Sequence, residues 1–380
     1  MENKKELGIY IHIPFCKHKC IYCDFISFPD KLIYQEKYIN KLLEEIENEK
    51  ELFKKYKVTT IYFGGGTPSI IDSKFIINIL DKLKKYIDFK DVEITIEVNP
   101  GTVNKEKLMK YLNSGINRLS IGLQTTNDKL LSELGRIHNY SEFLNTYENA
   151  RKVGFKNINV DLMIGLPNQK IEDVKKSITE IINLKYGKPE HISVYSLIVE
   201  EGTKIYKLIE DKVMQLPDDE LERMEYEYVK NSLELEGYIQ YEISNFSLKG
   251  RKSKHNMNCW EQKEYIGFGV AAHSYIDKIR FSNTSDIESY LKLDYKKIKT
   301  VEEKQNKIEE EKEYMLIGLR KLEGITISKF KEKFGENPIY LFRKEIEKLV
   351  EEELLIVDLD NIKLTRKGLD FANLVWEEFV

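Results

Sequence analysis

Short apolar runs alternate with longer charged, amphipathic segments through the first half of the chain. The apolar runs are residues 8–13, 58–63, 92–98, 116–123, 158–164 and 191–197. The segments between them, such as 34–56 and 170–184, repeat apolar residues at helical spacing. Strands rich in Ile and Val that alternate with helices are typical of a parallel sheet. The pattern therefore predicts an α/β fold, either an incomplete (β/α)6 barrel or a doubly wound open sheet.

The positions of polar residues favour the barrel. Glu97, Gln124 and Asp161 each stand at or near the C-terminal end of a different predicted strand, where barrels assemble their sites. The sequence GGGTP, residues 64–68, follows the second strand directly. Its glycines allow close backbone approach, and successive N–H groups there are predicted to form a nest for a carboxylate or a phosphate.

The second half of the chain is predicted to form two further regions. Helices are expected at 200–212 and at 218–238, the latter ending at Gly237. Three helices (302–322, 327–335, 337–354), a hairpin and a last helix (368–380) then predict a separate winged-helix-like α+β domain. The predicted domain boundaries are 1–215 for the barrel, 216–300 for a connecting region and 301–380 for the C-terminal domain.

Charge and composition limit the partners. The 380 residues carry a net charge of −4, with 41% hydrophobic and 33% charged residues. Residues 338–353 carry three basic and five acidic side chains, which is the wrong balance for a surface that faces phosphates. We therefore expect no nucleic-acid partner. Peripheral contact with a membrane and the oligomeric state stay open.

The expected compartment is the cytoplasm. The sequence contains no apolar run of about 18 residues, so no transmembrane span is expected. The first residues lack the apolar core of a signal peptide. Three of the four cysteines are clustered, which indicates a reducing environment and no disulfide framework.

The clustered cysteines, Cys16, Cys20 and Cys23, lie within eight positions. Thiolates bind zinc and iron–sulfur clusters, and this spacing allows one loop to surround a single centre. A zinc site would need a fourth ligand, such as His12, His18 or a remote residue. On a four-iron cluster, three cysteines would leave one iron open for a small molecule. Unligated cysteines are the third reading.

The C-x-x-x-C-x-x-C spacing after an apolar strand resembles the radical SAM superfamily. That resemblance implies a [4Fe–4S] cluster whose open iron binds S-adenosylmethionine (SAM) through its amino and carboxylate groups. The segments YIHIPFCKHKCIYCDF, YFGGGTPS, TIEVNP, RLSIGLQ, GRIH and DLMIGLP resemble, in the same order, the family of oxygen-independent coproporphyrinogen dehydrogenase (HemN) and its relative HemW. The resemblance covers essentially the whole chain.

Site residues follow from this resemblance. It implies that the cluster is held by Cys16, Cys20 and Cys23 and is flanked by Tyr10 and Tyr22. It also implies that the methionine end of SAM contacts Gly65, Gly66 and Thr67. The rest of the SAM pocket would be lined by Glu97, Gln124, Arg136 and Asp161. Carboxylates suit the cationic sulfonium and ammonium groups of SAM, and an arginine or backbone N–H groups suit its carboxylate.

Residues 255–260, HNMNCW, resemble the HNxxYW motif that is tied to heme binding in the HemW branch. Cys259 replaces the tyrosine of that motif. His255 and Cys259 are candidate iron ligands, and Trp260 is a candidate apolar contact for heme. His255 and Cys259 would face the same way if the segment were helical. The alternative is that His255 and Trp260 only pack a loop against the barrel mouth.

Three functions compete. The first is a heme chaperone that binds the cluster, SAM and heme and delivers heme to an unidentified acceptor protein. The second is oxidative decarboxylation of coproporphyrinogen III, and the third is another radical SAM reaction such as RNA modification, which the acidic balance disfavours. Phe25 stands where the dehydrogenase motif has a further cysteine, and only fifteen residues precede Cys16. Together with HNMNCW, these features favour the chaperone.

Overall fold

Six parallel strands form the centre of the computed structural model, which describes residues 4–380. They are β1 (Glu6–Ile13), β2 (Lys57–Gly65), β3 (Glu93–Val98), β4 (Arg118–Gln124), β5 (Ile158–Ile164) and β6 (His191–Ser196). Each strand pairs in parallel with the next one along the chain. A doubly wound sheet reverses its strand order near the middle. The unbroken order confirms the incomplete barrel and excludes the doubly wound alternative.

Helices cover the outer face of these strands. They are α1 (Gln35–Asn48), α2 (Lys50–Lys55), α3 (Ser73–Leu83), α4 (Lys105–Ser114), α5 (Asp128–Glu133), α6 (Tyr140–Val153) and α7 (Ile171–Ile182). The predicted helix over 34–56 is divided at Glu49, whereas the one over 170–184 is confirmed. Strand side chains that face the helices are apolar and fully buried, as Ile9, Ile11 and Ile13 of β1 illustrate.

Both edges of the six-stranded unit are extended by later parts of the chain. The added strands are β7 (Ile239–Glu242), β8 (Asn245–Ser247), β9 (Tyr265–Phe268), β10 (His273–Ile276), β11 (Ile279–Asn283) and β12 (Lys299–Lys304). Strand β8 pairs with β6, and β9 pairs with β1. The barrel is therefore open between β1 and β6.

Helices α8 (Lys204–Glu210), α9 (Asp219–Leu235), α10 (Lys254–Trp260) and α11 (Ile287–Lys292) accompany these strands. Two of the predicted helices are confirmed as α8 and α9. Gly237, with φ of +81°, follows the end of α9, as the sequence predicts.

The C-terminal region has its own hydrophobic cluster, which runs from Tyr314 to Phe379. Its elements are α12 (Lys307–Gly318), β13 (Ile325–Thr326), α13 (Ile327–Phe334), α14 (Pro338–Leu341), α15 (Arg343–Glu351), β14 (Leu355–Val357), β15 (Asn361–Leu364), α16 (Arg366–Asp370) and α17 (Ala372–Glu377). The helices and the antiparallel sheet β13-β15-β14 confirm the winged-helix-like α+β domain.

Three predicted helices of this region have different boundaries. The helix predicted from 302 begins at Lys307, because residues through Lys304 pair with β11 and Asn306 then caps the helix together with Glu309. The third predicted helix, over 337–354, is interrupted at Phe342 and the last at Phe371. Strand β12 spans the predicted boundary at 300–301, and the domain boundaries remain predictions.

No helix in the described range, residues 4–380, is long and apolar enough to cross a membrane.

Candidate functional site

A cavity of about 360 Å³ lies inside the barrel, at the C-terminal ends of its strands. It is lined by eleven of the residues that the sequence nominates: Cys16, Cys20, Tyr22, Cys23, Gly65, Gly66, Thr67, Glu97, Gln124, Arg136 and Asp161. These residues come from the loop after β1, from the ends of β2, β3 and β4, and from the segment after α5, whereas Asp161 lies in the middle of β5 and not near its end as predicted. The fold therefore brings side chains that are up to 145 positions apart in the sequence, as Cys16 and Asp161 are, into one cavity.

The three cysteines are free thiols on the loop after β1. Two of the sulfurs already have donors, since Thr67 Oγ1 lies 3.5 Å from Cys16 Sγ and Arg136 Nη1 lies 3.6 Å from Cys20 Sγ. Burial raises the pKa of Cys16, and it raises the pKa of Cys23 to about 11. A cationic metal centre would stabilise the thiolates that this burial disfavours.

His12 does not point at the cysteines as a zinc ligand would. Its Nδ1 lies 3.1 Å from the hydroxyl of Tyr10, and its Nε2 lies 2.9 Å from the carbonyl oxygen of Ile26. Both ring nitrogens are therefore engaged, and His12 ties β1 to the end of the cysteine loop. Across residues 4–380, no three His, Cys, Asp or Glu side chains are grouped as ligands of a single metal ion. The reading of His12 as a zinc ligand is wrong.

Tyr10 lies on β1 beside Tyr62 and His12, and its place next to the cluster stays a prediction. Its ring stacks on Tyr62 at 6.3 Å between centroids, its hydroxyl orients His12, and it is not among the residues that line the cavity. Tyr22, in contrast, lines the cavity half-buried beside Arg136 and the cysteines, and desolvation there raises its pKa.

The GGGTP segment brings two chain segments together and does not form an open nest. The N–H of Gly66 donates to the carbonyl oxygen of Ile13 at 2.9 Å, and the N–H of Thr67 donates to that of Phe15 at 2.8 Å. These two amides are therefore already paired, because the chain continues the β1–β2 pairing past Gly65. A Cβ on Gly66 would lie 2.8 Å from the oxygen of Phe15, so only glycine permits this approach.

Two carboxylates face the cavity from β3 and β5, which lie on either side of β4. Glu97 accepts a hydrogen bond from the hydroxyl of Tyr62 at 2.9 Å, and burial raises its pKa to about 7. Asp161 accepts from Asn159 Nδ2 at 2.7 Å and from Ser120 Oγ at 3.1 Å, and burial raises its pKa as well. A cationic ligand would relieve the cost of holding two partly buried carboxylates together.

Arg136 and Gln124 complete the wall. Arg136 Nη2 donates to Asn99 Oδ1 at 2.6 Å and to the carbonyl oxygen of Gly122 at 2.7 Å, while its Nε is buried without a partner. Gln124 has φ of +76°, in the left-handed region, at the shifted register where β4 ends. Strained backbone of this kind is held in place by its surroundings and is common at ligand sites.

The sequence argument missed several polar groups inside the barrel. They are Tyr62, Asn99, Arg118, Ser120, Asn159, Ser193, Tyr195 and Asn256. A signal was available, because strand side chains alternate between the two faces. In β4 the cavity-lining residues Arg118, Ser120, Gly122 and Gln124 alternate with Leu119, Ile121 and Leu123. Counting back from Gln124 in steps of two residues along β4 would have identified the β4 side chains that line the cavity.

The HNMNCW segment forms helix α10 and lies at the other end of the barrel. The N–H of His255 donates to Glu93 Oε1 at 3.2 Å, and Asn258 Nδ2 donates to Thr59 Oγ1 at 3.1 Å. Glu93 and Thr59 belong to the N-terminal halves of β3 and β2, so α10 closes the barrel floor. The sequence-based alternative, a loop at the barrel mouth, is wrong because the motif is helical and lies opposite the cysteine loop.

Trp260 is covered by another side chain. The guanidinium of Arg320 lies 4.5 Å from the ring centre of Trp260 and 5.1 Å from that of Trp376. This cation–π stack joins the barrel floor to the C-terminal domain. Arg320 therefore covers the Trp260 ring from one side, and the contact of Trp260 with heme stays a prediction.

Comparison with known proteins agrees with this geometry. Residues 10–181 match the Radical SAM superfamily, and residues 305–371 match the HemN C-terminal domain family. "Heme chaperone HemW" of Lactococcus lactis is 35% identical over 378 residues, which span 99% of this chain and 98% of that protein. The chain belongs to the HemW family. "Heme chaperone HemW" of Bacillus subtilis is 37% identical over 382 residues, covering 98% of each chain.

A solved structure shows how far the fold of this HemW-family chain is shared. Coproporphyrinogen III oxidase (HemN) from Escherichia coli superimposes with a TM-score of 0.85 at 21% identity. The match covers 99% of this chain and 90% of that one. The barrel and the C-terminal domain are therefore one architecture common to both proteins.

Membership of the radical SAM superfamily implies an iron–sulfur cluster and SAM as cofactors. The side chains of this HemW-family protein fit both groups. Donors already approach the sulfurs of Cys16 and Cys20, and Glu97 and Asp161 place negative charge in the same cavity. The soft thiolates suit iron, and the carboxylates suit the sulfonium and ammonium of SAM.

Glu97→Gln is expected to stabilise the ligand-free protein at alkaline pH. The pKa of Glu97 is raised from 4.5 to about 7, so wild type loses stability relative to the variant as pH rises from about 4.5 through about 7. The difference in the free energy of unfolding above that range is on the order of 3 kcal/mol, and it vanishes below about pH 4.5.

Urea unfolding of the two proteins between pH 4 and pH 9 measures this difference. Glu201→Gln, at an exposed position, is the control and should track wild type throughout. A constant difference between Glu97→Gln and wild type across the pH range would contradict the prediction.

Proposed function

We propose that this chain is a heme chaperone that binds a [4Fe–4S] cluster and SAM in its barrel and delivers heme to an acceptor protein. The observation that carries the proposal is the 35% identity to a "Heme chaperone HemW" over 99% of the chain. The cavity supports it, because it unites three free cysteines with two partly buried carboxylates. The cytoplasm is the proposed compartment, since a reducing environment keeps all four thiols reduced.

In this proposal Cys16, Cys20 and Cys23 hold three irons of the cluster and leave the fourth for the amino and carboxylate groups of SAM. Glu97 and Asp161 attract the cationic part of SAM into the cavity. Arg136, whose Nη1 approaches Cys20 Sγ, lies where it would balance the negative charge of the thiolate-bound cluster. When reduced, such a cluster supplies one electron to SAM.

His255 is the proposed axial donor to heme iron. Its Nδ1 is held by Thr60 Oγ1 at 2.9 Å, which leaves Nε2 as the nitrogen that can coordinate a metal. Cys259 is one helical turn later on α10. Burial lowers the pKa of His255 to about 4, so its imidazole is neutral and already in the form that binds a metal. The Cys259 thiol, whose pKa burial raises to about 11 as it does for Cys23, would first have to lose its proton to iron. We therefore propose the histidine as the ligand.

Phe25 is a residue that favours the chaperone function over the dehydrogenase reaction. It stands where the dehydrogenase motif has another cysteine, and its side chain is 62% exposed at the edge of the cavity. An apolar ring there offers contact area and no thiol. The proposed recipient of the heme is an acceptor protein.

One pair of assays tests the proposal. Anaerobically reconstituted protein is titrated with heme and followed by its absorbance, and a second sample is given coproporphyrinogen III, SAM and reductant. We expect stoichiometric heme binding and no decarboxylated product. SAM-dependent decarboxylation without heme retention would make the chain an enzyme of the dehydrogenase type instead.

A further inference from the structure

Arg118 is a buried cation that faces the cavity and has no partner. Only 2% of the residue is exposed, and its side chain lines the cavity. Arg151, which is also largely buried, pairs with Glu190 at 3.0 Å. Arg118 instead forms no ion pair and no side-chain hydrogen bond within residues 4–380, and its Nε is buried without a partner. A buried charge without hydrogen bonds costs free energy, so a ligand that accepts them would be favoured.

Asn256 on α10 presents a second unused donor to the same cavity. Its backbone N–H donates to Ser253 Oγ at 3.3 Å. Its side-chain amide lines the cavity, half-buried, and has no partner in the described part of the chain. Arg118 lies near this helix, because its charge adds to the effect of burial in lowering the pKa of the adjacent His255. A guanidinium and an amide that face one cavity together suit an oxyanion.

The neighbouring polar side chains of β4 and β5 already have partners. Asn159 Nδ2 donates to Asp161 Oδ1 at 2.7 Å and to Ser120 Oγ at 2.8 Å, and Ser120 Oγ donates to Asp161 Oδ2 at 3.1 Å. This network holds the carboxylate of Asp161. Arg118 and Asn256 are therefore the groups at this depth that remain as donors to a ligand.

These two donors lie well below the place proposed for SAM. Arg118 is the first residue of β4 and Gln124 is the last, so they are about 20 Å apart along the strand at about 3.3 Å per residue. SAM that is held on the cluster through its amino and carboxylate groups lies at the end of the barrel that carries the cysteine loop. The carboxylate of SAM is then bound to iron and does not pair with Arg118.

The charges of the cavity leave room for one further negative charge. Burial raises the pKa of Glu97 and of Asp161, and the charge of Arg118 partly offsets both rises. When SAM is bound, its sulfonium and ammonium groups match these two carboxylates, and Arg136 lies beside Cys20 Sγ. Arg118 is then the cation without a counter-charge. A monoanion balances it, whereas a dianion such as phosphate adds one charge too many.

We propose that the floor of the barrel binds a small organic monocarboxylate, held by Arg118 and Asn256 beneath SAM. A guanidinium can donate two parallel hydrogen bonds to a carboxylate, and the amide can donate a third. The asparagine of the HNMNCW segment thereby has a role inside the barrel. This inference rests on the SAM site of the proposed function and does not involve heme.

Calorimetric titration of the cluster-loaded protein with acetate tests the proposal. SAM is titrated first and then kept saturating, so that it occupies the open iron to which acetate would otherwise bind. With sodium chloride replaced by sodium acetate at constant ionic strength, wild type is expected to bind one acetate with a dissociation constant on the order of 1 mM, which a ligand of four non-hydrogen atoms can reach. SAM binding without acetate binding would overturn the carboxylate site and leave the proposed function standing. Absence of SAM binding would overturn both.

Asn256→Asp keeps the size of the side chain and replaces a donor by a negative charge. This variant and Arg118→Gln are each expected to weaken acetate binding by about tenfold or more, because each removes a hydrogen bond to a charged group. Arg343→Gln removes an exposed guanidinium of the C-terminal domain and is the matched control, which should bind acetate as wild type does. Acetate binding that survives both changes in the barrel would place acetate elsewhere and refute the site.

Phosphate in place of acetate tests the class of anion. Tighter binding of phosphate than of acetate would overturn the assignment to a monocarboxylate. Thermal unfolding of each variant without ligands shows whether the fold is kept. If Arg118→Gln does not fold, Asn256→Asp still decides the outcome, because Asn256 is half-buried and its amide holds no other part of the described chain.

Discussion

The triple variant with alanine at Cys16, Cys20 and Cys23 is expected to lose its iron and sulfide completely. After anaerobic reconstitution, wild type should contain about four iron and four sulfide per chain, and the variant only background amounts. The reason is that the fourth cysteine, Cys259, lies on α10 at the opposite end of the barrel and cannot replace a missing ligand. Iron and acid-labile sulfide analyses, with the visible absorbance of the cluster, measure the result.

The matched control for this experiment is Cys259→Ala, which removes a thiol without touching the cysteine loop. It should keep the full content of iron and sulfide. Stoichiometric zinc in wild type, with no sulfide, would contradict both the cluster and the SAM chemistry proposed from it.

His255→Ala is expected to abolish heme binding, whereas Cys259→Ser should leave the heme spectrum unchanged. His255 offers a free Nε2 once Thr60 has fixed its Nδ1, and the thiol of Cys259 is held protonated by burial, with a pKa of about 11. Absorbance titration with heme, followed by gel filtration to remove unbound heme, gives the bound fraction for each variant.

Cys259→Tyr extends this comparison, because it restores the tyrosine of the family motif. We expect it to retain heme, since the proposed iron ligand is unchanged. A loss of heme in Cys259→Ser together with retention in His255→Ala would assign the iron to sulfur and would refute the choice of His255.

The cysteine loop shows how much a local pattern can determine. Three thiols at fixed short spacing constrain the chemistry whatever the rest of the chain does, because the loop alone brings them together. The six barrel strands are equally local in origin, since apolar runs of β-branched residues between amphipathic helices favour one type of sheet. Their predicted positions agree with the structure to within a few residues.

The misplaced helix boundaries show where local patterns fail. Residues 302–304 read as the start of a charged helix, but pairing with β11 places them in β12. A strand at the sheet edge gains its hydrogen bonds from a distant partner, which no window of sequence contains. The prediction of an open nest at the GGGTP segment was wrong for the same reason. Carbonyl oxygens at the end of β1 and in the loop after it, which are distant in sequence, accept hydrogen bonds from the amides that appeared free.

The sequence by itself determined the α/β class, the six parallel strands, the cysteine loop and the nomination of residues 255–260. Only the tertiary structure decided that Arg118, Asn159 and Asn256 share the cavity, that Arg320 covers Trp260, and that His255 packs on Tyr62 beneath Glu97. The physical reason is that spacing along the chain governs which side chains share a face of one element. Contacts between elements depend on how β2, β3 and α10 pack, and that is set by burial of the whole core.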